Sequence, residues 1–101
     1  MVDYRKLEGQ ITMRPTKWSS VEANPVNGKP YRVYMRFFGN VGAEIWKLDR
    51  NQGYGMLLRL HERDGTITTI YTTKVSNLSE AKKVAVNAVR QLATGDDNGR
   101  F

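Results

Sequence analysis

Two alternating runs of residues flank an Asp-Gly pair, and this hairpin signal constrains the fold more than any other feature of the chain. Tyr54 to Arg63 precede the pair Asp64-Gly65, and Thr66 to Val75 follow it. Asp-Gly between two β-rich runs predicts a two-residue type I′ turn, because both central positions of that turn require positive φ. Pairing Arg63 with Thr66 then fixes the register of two antiparallel strands.

That register predicts a core face and a solvent face for the hairpin, because successive strand residues point to opposite sides. The predicted core face holds Met56, Leu58, Leu60, Glu62, Ile67, Thr69, Tyr71, Thr73 and Val75. The predicted solvent face holds Leu57, Arg59, His61, Arg63, Thr66, Thr68, Ile70, Thr72 and Lys74. The second face is rich in cations and hydroxyls, and an antiparallel sheet can leave such a face in water.

A preceding run, Lys29 to Phe38, alternates in the same way and predicts another strand. One of its rows, Tyr31, Val33, Met35 and Phe37, is expected to join the core, and the other row contains Arg32, Tyr34, Arg36 and Phe38. Guanidinium groups interleaved with rings are typical of surfaces that bind single-stranded nucleic acid, since bases stack and phosphates need cations. A further strand is predicted from about Ala43 to Arg50, after a Gly-Asn-rich turn.

Hydrophobic residues recur at helical spacing over residues 78–93, which predicts a helix there. Asn77 stands where an N-cap belongs, Glu80 follows at capping-box spacing, and Gly95 stands where a C-terminal cap is expected. The fold class predicted is α+β: a three- or four-stranded antiparallel meander sheet with one C-terminal helix packed on one face.

At 101 residues the chain predicts one domain with one core. Residues 1–28 are punctuated by Pro and Gly and are read as an N-terminal arm or edge segment, in which Gly9 to Arg14 is a candidate short strand. Residues 29–95 form the predicted domain core, and residues 96–101 a polar tail.

Composition excludes several classes of chemistry. With no cysteine and a single histidine, His61, the chain has no disulfide, no thiolate nucleophile and no zinc site of the usual ligands. No carboxylate pair is expected to converge, and Gly53-Tyr54-Gly55 lacks the lysine and hydroxyl of a phosphate-binding loop. We therefore predict a protein that is not an enzyme and has no catalytic residues, cofactor or metal. Without an apolar run of about 20 residues or a secretory leader, a cytoplasmic protein with no membrane partner is expected.

Charge supplies the functional hypothesis. Sixteen basic and ten acidic residues give a net charge of +6, and residues 29–63 carry seven of the basic residues against three acidic ones. A basic excess favours polyanionic partners. The leading hypothesis is a non-enzymatic DNA- or RNA-binding module of low base specificity that uses an open basic and aromatic sheet face. The predicted binding residues are Arg32, Tyr34, Arg36, Phe38, Arg59, His61, Arg63 and Lys74.

From Ile67 to Leu92 a hairpin leads into the helix start Asn77-Leu78-Ser79-Glu80-Ala81-Lys82. This segment resembles the arm-binding domains of tyrosine integrases and is similar to the C-terminal half of double-stranded-RNA-binding domains. The likeness covers about a third of the chain. Glu80 stands where the latter domains have a basic helix start, so no site residue is carried over. The alternative hypothesis is a protein-binding or inhibitory factor, of the kind that phages and mobile elements encode, acting through an exposed sheet edge or face. A homodimer through a continuous sheet would use the same edge.

Overall fold

Five strands pair in chain order to form one antiparallel sheet, and a single helix follows them. The computed structural model describes residues 11–12, 17–25 and 28–93. The elements are β1 (Ser19–Ala23), β2 (Tyr31–Phe38), β3 (Val41–Lys47), β4 (Tyr54–His61), β5 (Ile67–Val75) and α1 (Leu78–Ala93). The predicted α+β class, with its meander sheet and C-terminal helix, is confirmed, and the sheet has one strand more than expected.

The additional strand is β1, which lies at one edge and pairs with β2. Of the candidate strand Gly9 to Arg14, only Ile11 and Thr12 are described, and neither lies in a strand. The predicted cap at Gly95 and the tail at 96–101 lie outside the described residues.

The β2–β3 hairpin decides which side of β2 faces the core. Phe38 pairs with Val41 across a two-residue turn, and Gly39 has a φ of 67°, as the first position of a type II′ turn requires. Because paired residues share a face, Phe38 lies on the same side as the buried Val41 and Ala43. The expectation that Tyr31, Val33, Met35 and Phe37 form the core row is wrong: their neighbours Arg32, Tyr34, Arg36 and Phe38 face the helix.

The β4–β5 hairpin is looser than predicted. Gly65 has a φ of 92°, whereas Asp64 does not have the positive φ that a type I′ turn needs. The Glu62 N–H donates to the Thr66 carbonyl at 2.8 Å and the Gly65 N–H to the Glu62 carbonyl at 3.1 Å. Arg63 to Gly65 therefore form a three-residue loop, and the predicted pairing of Arg63 with Thr66 is wrong.

A β-bulge restores the predicted register farther from the turn. Next to the loop His61 pairs with Ile67 and Arg59 with Thr69, one residue away from the predicted register. The irregularity between Leu58 and Arg59 leaves Ile70 without a direct partner, and from Leu58–Tyr71 onward the pairing is as predicted. Ile67 and Thr69 consequently leave the predicted core face, and Ile70 enters the core, where it is 9% exposed.

The helix is confirmed over Leu78–Ala93. The Asn77 side chain accepts the Glu80 backbone N–H at 2.8 Å, as an N-cap does, while the Glu80 carboxylate accepts the Ser76 hydroxyl at 2.7 Å. Small residues on the buried side let α1 approach the sheet closely. The core between them contains Phe38, Val41, Ala43, Ile45, Met56, Leu58, Leu60, Ile70, Ala81, Ala85, Ala88, Val89 and Leu92.

Candidate nucleic-acid interface

The helix covers only part of the sheet. It packs on β3, β4 and β5, so the β1–β2 side of the same surface extends beyond it. Tyr34 and Arg36 of β2 project into this uncovered strip beside the flank of α1. A groove therefore runs between the helix and the edge of the sheet.

Two cations meet one indole at the centre of this groove. Lys82 Nζ lies 5.8 Å from the Trp18 ring centroid and 5.5 Å from that of Tyr34. Arg36 Cζ lies 6.0 Å from the Trp18 ring centroid and 4.7 Å from that of Phe38. Distances within about 6 Å are those of cation–π interactions, so the partly buried rings hold both cations in place.

Two open depressions extend from this centre. One, of about 410 Å³, lies on the helix side and is lined by Trp18, Lys82, Lys83, Val86, Asn87 and Arg90. The other, of about 550 Å³, is lined by β2, β3 and the loop after β3, and includes Arg32, Tyr34, Lys47, Arg50 and Tyr54. Lys82, which lines the first, lies over the ring of Tyr34, which lines the second. We call the combined surface the basic groove; its members are Trp18, Arg32, Tyr34, Arg36, Lys47, Arg50, Tyr54, Lys82, Lys83 and Arg90.

The basic groove has a strong excess of positive charge. It contains seven basic side chains; among the described residues, Asp49 in the loop after β3 lines the groove and Glu22 lies opposite Arg32 on β1. The Arg32 guanidinium also donates to the Ser20 hydroxyl at 2.8 Å. Such a surface attracts anions from a distance and offers several N–H donors to phosphate oxygens.

The structure divides the predicted binding residues between two faces. Arg32, Tyr34 and Arg36 lie in the basic groove, whereas Phe38 is fully buried and presents no ring face to a base. Strand pairing places Arg59, His61 and Lys74 on the opposite side of the sheet, and Arg63 lies in the hairpin loop. The expectation that these residues form one open surface is wrong, because the tight β2–β3 turn sets the side of β2.

The side of the sheet away from the helix differs in chemistry from the expected cationic surface. We call it the open face; it contains Ser19, Val21, Ala23, Tyr31, Val33, Met35, Phe37, Gly42, Glu44, Trp46, Gly55, Leu57, Arg59, His61, Ile67, Thr69, Thr72 and Lys74. Arg59 forms an ion pair with Glu44 at 3.3 Å. The ring of His61 lies 5.6 Å from that of Phe37. Nine of these 18 residues are hydrophobic, and four large ones among them are exposed.

Sequence reasoning missed the helix's share of the basic groove. Charged helix residues are usually solvated and tryptophans usually buried, so neither Lys82 and Lys83 nor Trp18 was among the predicted binding residues. One signal was available: Lys82, Val86 and Arg90 recur every four residues and therefore form one stripe along the helix. Which strand that stripe would face depended on how far the helix covers the sheet.

Within residues 11–12, 17–25 and 28–93, no three His, Cys, Asp or Glu side chains are grouped so as to hold a metal ion. No helix in this part of the chain is long and apolar enough to cross a bilayer. Comparison with protein-family models, with curated proteins and with solved structures finds no match to the chain.

Proposed function

We propose that the protein is a non-enzymatic nucleic-acid-binding module and that its basic groove holds the sugar-phosphate backbone of a single strand. The observation that carries the proposal is the centre of the groove, where Arg36 and Lys82 lie over the same Trp18 ring with further cations on either side. The sequence predicts a cytoplasmic location, and single-stranded nucleic acid is present in that compartment.

The rings position the cations in advance. A free lysine or arginine loses side-chain entropy when it is fixed on a phosphate. Lys82 rests over Trp18 and Tyr34 before any ligand arrives, so less of that entropy remains to be lost on binding. Its ammonium group retains N–H donors for phosphate oxygens, since a cation–π interaction uses only one side of the group.

The shape of the groove favours a single strand over a duplex. Tyr54 lines the depression beside β2 and β3 and offers a ring to an unpaired base, while the cations held over Trp18 and Tyr34 contact the backbone. Most of the polar groups are charges rather than paired donors and acceptors that read a base edge. We therefore expect low base specificity.

The test is fluorescence anisotropy with labelled homopolymer oligonucleotides of about 12 nucleotides, a length within the site sizes of single-strand-binding domains. Affinity is expected to fall steeply with salt, with a log–log slope of about −0.7 for each phosphate neutralised. The variant Arg36→Ala/Lys82→Ala is expected to lower affinity by about tenfold or more, equivalent to ~1.4 kcal/mol. It should also flatten the slope by about 1.4, or 0.7 for each lost cation.

The matched control is Arg63→Ala/Lys74→Ala, which removes the same net charge from outside the basic groove. A binding site in the basic groove predicts a much smaller loss for this control. Trp18→Leu keeps every cation, so it should weaken binding while leaving the salt slope unchanged. Equal losses in the two double variants would contradict the groove as the site. A flat salt response, or no binding at about 50 mM salt, would contradict the function itself.

A second candidate function, protein binding through the open face, is favoured by the large hydrophobic side chains exposed there. Val21, Tyr31, Phe37 and Ile67 are each about half exposed. Co-purification of a protein that survives nuclease treatment, and is lost in a variant with Ile67→Lys, would support this alternative and its attribution to a phage- or mobile-element-type factor.

A further inference from the structure

The large hydrophobic side chains left exposed in the described part of the chain all lie on one surface. They are Val21 at 49%, Tyr31 at 45%, Phe37 at 45% and Ile67 at 55% exposure. Strand pairing places all four on the open face, on β1, β2 and β5. Isolated exposed hydrophobic residues are ordinary, but their concentration on one face of a sheet is typical of a surface that another protein covers.

We infer that the open face is the interface of a homodimer, in which two copies of the chain pack sheet against sheet. This inference goes beyond the proposed function, because it concerns the surface opposite the basic groove. The occupant is a second copy for three reasons: the charges at the centre of the face, the aromatic rings that lie along it, and its area.

The charges at the centre of the face are self-complementary, and Lys74 adds one further cation per copy on the edge strand β5. Glu44 and Arg59 lie on the neighbouring central strands β3 and β4 and form an ion pair at 3.3 Å. A two-fold axis passing near this pair brings the Arg59 of each copy towards the Glu44 of the other, so that four charges balance within the interface. The basic groove that makes the chain cationic lies on the far side of each sheet. A second copy can therefore approach without bringing those cations together.

Two aromatic rings of the face lie along the sheet, which favours packing between sheets. Trp46 lies over the backbone of Gly55 on the next strand: a Cβ built on Gly55 would be 2.6 Å from its ring atoms. Phe37 lies over Gly42 in the same way, with a corresponding distance of 2.9 Å. Glycine opposite an aromatic residue lets the ring lie along the sheet instead of standing out from it. Two such faces can meet at the ordinary spacing of about 10 Å between packed sheets.

The area of the face is comparable to what a stable dimer needs. Five strands about 4.8 Å apart, five to nine residues long and rising about 3.3 Å per residue, cover roughly 600 Å² in plan. The accessible area is larger because side chains project from the sheet. Stable interfaces typically remove about 800 Å² from each partner. A polyanion is a poorer occupant, because Arg59 is already paired with Glu44 and Lys74 is the one other lysine or arginine among the residues of the face.

The test is sedimentation equilibrium of the full chain from about 1 µM to about 100 µM, a range that brackets micromolar dissociation constants. We expect a mass twice the 11.5 kDa of one chain. Val21→Lys/Ile67→Lys is expected to shift the protein to monomer with an unchanged circular dichroism spectrum, because both positions are exposed in the single chain. A monomeric wild-type protein throughout this range would overturn the inference, as would a dimer that survives these substitutions.

A charge-reversal pair tests the two-fold arrangement itself. Glu44→Arg places two arginines at the centre of the face and Arg59→Glu places two carboxylates there, so each variant alone is expected to be monomeric. Mixed in equal amounts, the two variants should form a heterodimer. Failure of the mixture to associate would overturn the sheet-to-sheet arrangement. Oligonucleotide binding by the monomeric variants then shows whether the basic groove acts independently of the dimer.

Discussion

The two sides of the sheet are built from alternate residues of the same strands, yet they have opposite chemistry. The helix side combines a dry aliphatic core under α1 with a cationic strip where the helix does not reach. The open face has an ion pair at its centre and hydrophobic side chains around it. The difference shows that hydrophobic residues on a small sheet need not mark the side that its own helix covers. It also gives the two proposed partners, a polyanion and a second copy, different sides of the sheet.

Neighbouring leucines on β4 compare the two sides most directly. Leu58 is fully buried under the helix, and Leu57, the preceding residue, lies on the open face and is partly buried. Leu58→Ala is expected to lower the free energy of unfolding by about 2–5 kcal/mol, because it leaves a cavity in the core. Leu57→Ala is expected to cost about 1 kcal/mol in the isolated chain. Urea denaturation followed by circular dichroism measures both.

Protein concentration sharpens this comparison. If two copies pack through the open face, the cost of Leu57→Ala rises as the wild-type protein is concentrated, since association stabilises only the folded chain. Leu58→Ala also leaves a cavity in the core, and the free energy of unfolding lost in this way does not depend on protein concentration. Equal costs for the two leucines in dilute solution would contradict the assignment of the faces.

Substitutions at Gly55 and Trp46 test whether glycine is what lets the Trp46 ring lie along the open face. Gly55→Ala drives a methyl group into the indole ring, and overpacking of this kind typically costs about 1–3 kcal/mol. We expect lower stability and altered tryptophan fluorescence, because the Trp46 ring must move off the sheet. With Trp46→Leu in place, most of the penalty of Gly55→Ala should disappear, and a double-mutant cycle measures that coupling. An unchanged penalty would mean that the backbone of Gly55, and not the ring, sets the requirement for glycine.

The sequence predicted the elements of this fold better than it predicted their faces. Alternation defined β2, β4 and β5, and helical spacing with Asn77 as cap defined α1 almost to the residue. Faces depend on turns, and a turn that differs by one residue exchanges the sides of a strand. The alternation within β2 could not show which of its two rows faces the core, because both rows contain aromatic residues. That orientation was set by the two-residue turn at Gly39-Asn40.

The candidate site was predictable only in part, for the same reason. Arg32, Tyr34 and Arg36 were identified from the pattern of guanidinium groups and rings, and they do lie together. Lys82 and Trp18 join them through contacts between distant parts of the chain, which no local pattern encodes. Arg59 was expected to serve as a free cation, whereas in the structure it is paired with Glu44, a residue on a neighbouring strand.

The loop between β4 and β5 gives the smallest expected effect, although it decides which side Ile67 joins. Hydrogen bonds from the hydroxyl and backbone N–H of Thr66 lower the pKa of the Asp64 carboxyl below its usual value. Because its pKa is lower in the folded chain than in the unfolded one, ionised Asp64 stabilises the fold above the unfolded pKa. That contribution is lost as pH falls through the folded pKa. Asp64→Asn keeps an acceptor oxygen without the charge, so the wild type should have the slightly higher urea midpoint at neutral pH. The difference in urea midpoint should disappear in strong acid. A difference that persists there would show that the charge of Asp64 does not stabilise the loop that places Ile67 on the open face.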